Sequence, residues 1–457
     1  MIDLLLKGGK IYLGGELRDL CLGIDGGVIA AIGMEPVMPD ADDVIDISGR
    51  IVIPGAVDPH VHIFSPGWIR ETFETGTAAA AVGGVTTVAD MASVGEWHTA
   101  TMEVFERKLE TASREALVDF ALYCGEIHRE EDLREIPQIL KAGAVGLGEV
   151  MMCEPDPIPD SPTLLRAMRL VAEEDAVISV HAEDREIISR AISEAKSAGK
   201  NRMEDFSLSR PAVAEAKAIL DAAVLAAEAG SRLHVCHVST EAGVRALSLA
   251  KGIHELTTAE VTPHHLVLTL DDYERLGPLI IVTPPVRTKG DVASLWEALS
   301  SGLIDAVATD HCAFKEAEKS VDSPWEVPAG LPGLETAVIL LWSEGVVKGR
   351  ISLRRFVEAT SEMPAKILGI DHRKGGISIG KDADLTVIDP SYRGRIGRGD
   401  MRSVADYTPF DGLEVSGRIV MTMVRGRVVA REGSLEVKPG YGEFVPRGRG
   451  KSLGPGD

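Results

Sequence analysis

Residues 51–62, Ile51-Val52-Ile53-Pro54-Gly55-Ala56-Val57-Asp58-Pro59-His60-Val61-His62, form an apolar, β-branched run that stops at two histidines. Side chains two apart on a strand share a face, so His60 and His62 converge on one point at its carboxyl end. A lone pair of this kind also occurs in ordinary packing. What gives it weight is the company further along the chain. His181 ends the run VISV, His237 ends RLHVC, Asp310 ends DAVAT and Glu149 ends AVGLG. Each is a metal-ligand type placed where an apolar strand finishes.

Between residue 55 and residue 367, strand-like runs alternate with helix-like stretches. The runs are GGVTTVADM, ALVDFALYCG, AGAVGLGEV, DAVISVHAE, RLHVCHVS, IHELTTAEVTPHH and GLIDAVATDH; helical periodicity is clear in TFETGTAAAA, PAVAEAKAILDAAVLAAEAG and EALSSGL. Such alternation predicts βα units and a parallel sheet. Eight units close a barrel, and barrel sites are assembled from the carboxyl ends of different strands. The expected fold is therefore α/β, a TIM-like (β/α)8 barrel over residues 55–367.

The flanks have another texture. Residues 1–54 read as short strands (Leu4–Leu6, Lys10–Leu13, Asp19–Ile24, Val28–Ile32, Ile51–Ile53) cut by GG, DGG and SGR turns. Period-two alternation returns in GGISIGKDADLTVID and GRIVMTMVRGRVVAREG, so residues 1–54 and 368–457 are expected to pair into one small β-sandwich. The end from Lys438, KPGYGEFVPRGRGKSLGPGD, offers no core and reads as either disordered or laid along a neighbouring subunit.

Composition narrows the function. A formal charge of −22 argues against nucleic acid or anionic lipid as partner, since both need clustered Lys and Arg. Aromatic content of 4% means a core of Ala, Val, Ile and Leu. Five scattered cysteines without CxxC spacing, and no apolar run approaching the ~20 residues that span a bilayer, predict a reduced, cytoplasmic protein. The expected partners are a small-molecule substrate and further copies of the chain, as a dimer or tetramer.

Imidazole with carboxylate suits one or two Zn2+ ions, or Mn2+, Fe2+ or Co2+. A metal of this kind makes hydroxide available near neutral pH and polarises a carbonyl, which is hydrolytic chemistry. Asp310, the carboxylate among histidines, is the expected general base, passing a proton from the attacking oxygen to the leaving nitrogen. Cys312, beside Asp310-His311, reads as a small packed residue rather than a nucleophile.

The blocks PGAVDPHVH, ETGTAAAAVGGVTT, SRPAVAEAKAI, LHVCHVSTEAGV, EVTPHHLVLT, TPPVRTKGD, IDAVATDH, GLPGLET and GKDADLTVIDP, in this order, resemble the cyclic amidohydrolases: dihydroorotases, allantoinases and hydantoinases of the amidohydrolase superfamily. The resemblance implies a barrel with an appended β-sandwich and hydrolysis of a ring amide by metal-bound hydroxide. It assigns His60, His62, His181, His237 and Asp310 as metal ligands. Allantoinases and hydantoinases bridge two metals with a carboxylated lysine in a setting like GFK. This chain reads Gly146-Leu147-Gly148-Glu149-Val150, with no lysine between Lys141 and Lys196, and the similar GLGEVM of adenine deaminases points to Glu149 as the remaining ligand.

Substrate positions depart as well. The LREPG arginine of dihydroorotases is absent from Ile63-Phe64-Ser65-Pro66-Gly67, the MPNT asparagine is replaced within Asp90-Met91-Ala92-Ser93, and NPPLR becomes Thr283-Pro284-Pro285-Val286-Arg287. Arg70 is the candidate substitute for the lost arginine. His265, Thr283 and Pro285, with Gly330 and Leu331 from the loop SPWEVPAGLPG around Trp325, are the other expected substrate contacts. Three readings follow: a hydrolase opening a cyclic ureide or imide, a deaminase of the same superfamily, or an inactive scaffold like the dihydropyrimidinase-related proteins. Scaffolds of that kind lose metal ligands.

Overall fold

The computed structural model describes residues 1–153 and 158–448. Its centre is a succession of strands in chain order: Ala56–His62, Val85–Asp90, Asp119–Leu122, Gly146–Met151, Val177–His181, Arg232–Val235, Thr257–Val261 and Ala306–Val307. Neighbours pair in parallel, as a sheet led by the first three and a sheet made by the last five. A bridge from Cys124 to Leu147 links the two sheets. Just beyond the eighth strand, His311–Cys312 pairs with Val61–His62 of the first. Val85–Asp90 and Val177–His181 are buried at every position, as strands covered on both faces must be.

The covering helices explain the low aromatic content. Ala212–Ala229 buries Ala214, Ala218, Ala222 and Ala226 at i,i+4 spacing and stops at Gly230 in the left-handed conformation. A stripe of methyl groups lets the helix lie close to the strands. Phe73–Val82 starts at Thr72, whose hydroxyl accepts from the Thr75 N–H, and buries four consecutive alanines. Every strand-like run read from the sequence contains a strand.

Both chain ends build the neighbouring β structure. Ile51–Pro54 pairs antiparallel with Leu385–Arg395, which pairs with Glu414–Val424, inside a seven-stranded sheet. A four-stranded sheet comes wholly from the amino-terminal flank. Leu4, Leu22 and Ile29 of that sheet and Val52, Leu385 and Met423 of the other share one apolar core. One strand, Ala41–Asp46, was hidden by its polar sequence ADDVID; it pairs in parallel with Ile2–Lys7 with most side chains exposed.

The carboxyl-terminal stretch corrects an expectation. From Lys438 to Gly448 it is ordered and lies along its own chain. Gly440 and Gly442 N–H donate to Ala116 O, Glu443 O accepts from Phe120 N–H, and Val445 N–H donates to Phe120 O. Phe444 packs on Phe105 and Phe120, and Val445 is fully buried, so the segment does have core to offer. Residues 449–457 lie outside the described part. All five cysteines are buried and unpaired by disulfides, and no helix among the described residues is long and apolar enough to cross a membrane.

Candidate metal centre

His60, His62, Glu149, His181, His237 and Asp310 come together at the carboxyl ends of the parallel strands. His60 and His62 project from the first strand, as period two requires, with their Nε2 atoms 3.1 Å apart. Asp310 Oδ1 lies 3.4 Å from His60 Nε2 and 3.3 Å from His62 Nε2. Its backbone is tied to the first strand, Asp310 N–H donating to His60 O at 3.0 Å. Asp58 strengthens this seam by accepting from both His60 N–H and Thr309 N–H, and burial pushes its carboxyl up to about 6. Asp310 and His237 both have positive φ, +49° and +31°, a cost that non-glycine residues bear mainly at functional sites.

Glu149 divides the cluster. Its Oε2 is 3.6 Å from His60 Nε2 and 3.8 Å from His62 Nε2, while Oε1 is 2.7 Å from His237 Nε2 and 3.4 Å from His181 Nδ1. One carboxylate therefore faces two sets of donors, one from each oxygen. The fourth strand comes close enough because Gly148 carries no side chain: a Cβ there would stand 2.9 Å from Ser179 Cβ and 3.1 Å from Ser179 O. The pairing register slips between Leu147 and Val150, a bulge that re-aims the intervening glutamate.

Behind the donors lies a buried polar layer. Glu260 bonds His60 Nδ1 at 2.6 Å and His234 Nε2 at 3.0 Å. Glu183 bonds His181 Nε2 at 2.8 Å and faces the Arg210 guanidinium. Burial alone would drive the proton from His60, but Glu260, with Cys236 and Glu149, holds the imidazole well above its ordinary range. In His181 burial is likewise overcome, by Cys153, Glu149 and Glu183. Burial would raise Glu149, yet His237 and His60 hold its carboxyl well below the usual range. The donor set fits a divalent cation. The groups His60, His62, Asp310 and Glu149, His181, His237 each hold their ligand atoms within 4.8 Å of one another, with no Lys or Arg among them.

The cluster opens into a cavity of about 630 Å³. Trp68, Val94, Met151, Phe206, Val282 and Val327 give it apolar walls, and Thr283 and Gly330 lie among its polar lining. Gly330 has φ +148°, and a Cβ there would meet Cys312 O at 2.7 Å, so the loop is pressed against the His311–Cys312 segment that follows the eighth strand. Cys312 lines the cavity with a thiol that burial pushes well up, the state of an inert packed residue.

Other expected contacts are not where the sequence suggested. Arg70 is turned outward: its side chain is 66% exposed and paired with Glu318. His265 is buried off the cavity, with Nδ1 engaged by Thr262 Oγ1 and Nε2 by Pro284 O, and burial pushes it down to about 3. Pro285 and Leu331 are not among the residues that line the cavity, and Trp325 bonds Lys200 O instead. Sequence reasoning missed Glu126, His128 and Arg210, all of which line the cavity. Glu183 was findable, since His181-Ala182-Glu183 repeats the spacing of His60 and His62.

Parallel strands that deliver histidines and carboxylates to one cavity mouth define an α/β protein with a cation-binding hydrolase site. The model of the amidohydrolase family matches residues 51–429, and the chain belongs to that family. It is 37% identical to an L-hydantoinase of Paenarthrobacter aurescens over 98% of each chain, and 34% identical to a dihydroorotase of Methanosarcina acetivorans over 99% of this chain and 97% of that one. The solved structure of L-hydantoinase (dihydropyrimidinase) from Arthrobacter aurescens superposes with a TM-score of 0.93 at 36% identity, covering 98% of this chain and 100% of the other.

Proposed function

We propose that this chain is a metal-dependent cyclic amidohydrolase that opens a hydantoin or dihydropyrimidine-like ring at a centre where Glu149, with the histidines and Asp310, would hold two metal ions. The observation that carries this is the split of the Glu149 carboxylate between two donor sets. His60, His62 and Asp310 would hold one ion, His181 and His237 the other. When bound, Zn2+, or Mn2+, Fe2+ or Co2+ in its place, supplies carbonyl polarisation and makes water acidic enough to react near neutral pH. Asp310 takes the proton of the attacking water on its carboxylate and delivers it to the departing ring nitrogen. Glu260 and Glu183 fix the orientation of His60 and His181. Thr283 and Gly330 offer polar contacts to the ring, and the apolar walls exclude bulk water.

The same reading takes residues 55–367 as a closed (β/α)8 barrel and residues 1–54 with 368–457 as its sandwich. The Cys124–Leu147 bridge and the two-sided pairing of residues 306–312 support closure. Dihydroorotate fits poorly, because its carboxylate asks for an available arginine. Arg70 points outward, and Arg210, the one Lys or Arg lining the cavity among the described residues, faces Glu183. An inactive scaffold is disfavoured by the convergence of all six ligand candidates.

The test is metal analysis followed by turnover on hydantoin, 5-substituted hydantoins, dihydrouracil, allantoin and dihydroorotate. Two metals per chain, loss of activity on chelation and its return with Zn2+ are expected, with hydantoins or dihydrouracil ahead of dihydroorotate. Metal-independent turnover, or dihydroorotate as the best substrate, overturns the reading.

A further inference from the structure

The cavity holds one polar pair that ring hydrolysis does not use. Glu126 and His128 follow the third strand. The bridge between Cys124 and Leu147 sets the third and fourth strands side by side, so Glu126 follows the strand next to the one that carries Glu149. Glu126 faces the same cavity, its side chain 16% exposed, and Oε1 lies 3.1 Å from His128 Nε2. Among the described residues Glu126 Oε2 has no partner. The Glu126 carboxylate thus presents an acceptor to the cavity, with His128 against its other oxygen.

The same cavity has apolar walls. Ala92 and Val94 come from the loop after the second strand and Met151 from the end of the fourth, the two strands that flank the third, and Trp68 adds an aromatic face. A carboxylate at the end of such a trough penalises an alkyl substituent, which strips its water and returns no hydrogen bond. It repels an acidic substituent and rewards a donor on a methylene stem.

We infer that Glu126, with His128, reads the ring substituent, and that the preferred substrates are cyclic amides bearing a basic, N–H-rich side chain of the aminoalkyl or guanidinoalkyl class. This rests on the function proposed above. The apolar walls take the methylenes and Glu126 Oε2 takes the charged head. No covalent step is added, since the ring opens at the metal centre whatever the substituent.

The experiment compares metal-loaded wild type, Glu126→Gln and Glu126→Lys on a matched pair of rings, 5-(4-aminobutyl)hydantoin and 5-pentylhydantoin, with 5-(2-carboxyethyl)hydantoin as third probe. Wild type is expected to favour the aminobutyl ring in kcat/KM. Glu126→Gln should lower that ratio about tenfold or more, the worth of one charge-assisted hydrogen bond, and Glu126→Lys should turn the preference toward the carboxyethyl ring. A ratio unchanged in Glu126→Gln overturns the inference. Should neither hydantoins nor dihydrouracil be opened, the function proposal fails. The inference is then read separately, by calorimetric binding of the aminobutyl and pentyl rings to Asp310→Asn protein, where equal affinities overturn it and a preference that Glu126→Gln abolishes supports it.

Discussion

His60 and His62 meet one oxygen of Glu149 from the first strand, with Asp310 beside them from the segment after the eighth, regions some 250 residues apart that are laced together by Asp58 and the Asp310–His60 backbone bond. His181 and His237 meet the other oxygen from the adjacent fifth and sixth strands. The first set depends on long-range closure, the second on neighbouring strands. Their backing differs too: Glu260 and a second histidine, His234, stand behind His60, whereas Glu183 and Arg210 stand behind His181. One centre is thus supported in two ways, and the halves should fail differently.

The most severe test removes what they share. Glu149→Ala is expected to abolish turnover and to lower metal content in both halves, read by atomic emission on purified protein; loss of a single metal with activity intact would mean that the halves are independent. Asp310→Asn strikes the first half alone. It should keep at least one metal and lower kcat by roughly 10²–10⁴, the contribution of general acid–base catalysis, and a variant within a few-fold of wild type would place the proton shuttle elsewhere.

Smaller effects separate the backing layers. Glu260→Gln and Glu183→Gln should each weaken metal affinity about 10–100-fold, measured by competition with a chromophoric chelator. Only Glu183→Gln should also lower Tm clearly, because Glu183 faces the buried Arg210 and Arg287. Equal Tm losses would erase the proposed contrast.

The least effect concerns Glu335, behind the first half. His311, next to Asp310, accepts from Gly333 and Leu334 N–H, and burial pushes the adjoining Glu335 up to about 7 from 4.5. The folded chain holds this proton more tightly than the unfolded one. Its stabilising contribution is therefore complete below pH 4.5 and lost as pH rises through about 7. Glu335→Gln should flatten that dependence and raise Tm at pH 8 by about 2 °C, with no gain at pH 4.5.

Much of this was legible in the sequence where regular backbone carries it. A strand fixes side-chain direction every two residues, so His60 with His62, and the residues ending VISV, AVGLG and DAVAT, declared their convergence from spacing alone. Loops carry no such period. Glu126 and His128 share the two-residue spacing but lie past the end of their strand, where it no longer fixes direction, and Arg70 looked available because nothing in the sequence shows that Glu318 holds it outside. His265 failed for a related reason: Thr262 and Pro284 lie 3 and 19 residues away, and only the folded loop shows that they occupy both ring nitrogens. The carboxyl-terminal segment misled through composition, since Gly and Pro masked the two residues, Phe444 and Val445, that dock it.

The pairing of Ile51–Pro54 with Leu385–Ile388 has a consequence for synthesis. A ribosome releases the first of these strands about 330 residues before the second, a wait on the order of 20–70 s at ordinary elongation rates. Throughout that interval the amino-terminal flank is translated but lacks its partner strand, with Val52 and Ile53 left uncovered. The order of folding is thereby constrained: the α/β body can collect its helices as they emerge, and the β layer beside it is completed last, from both ends at once.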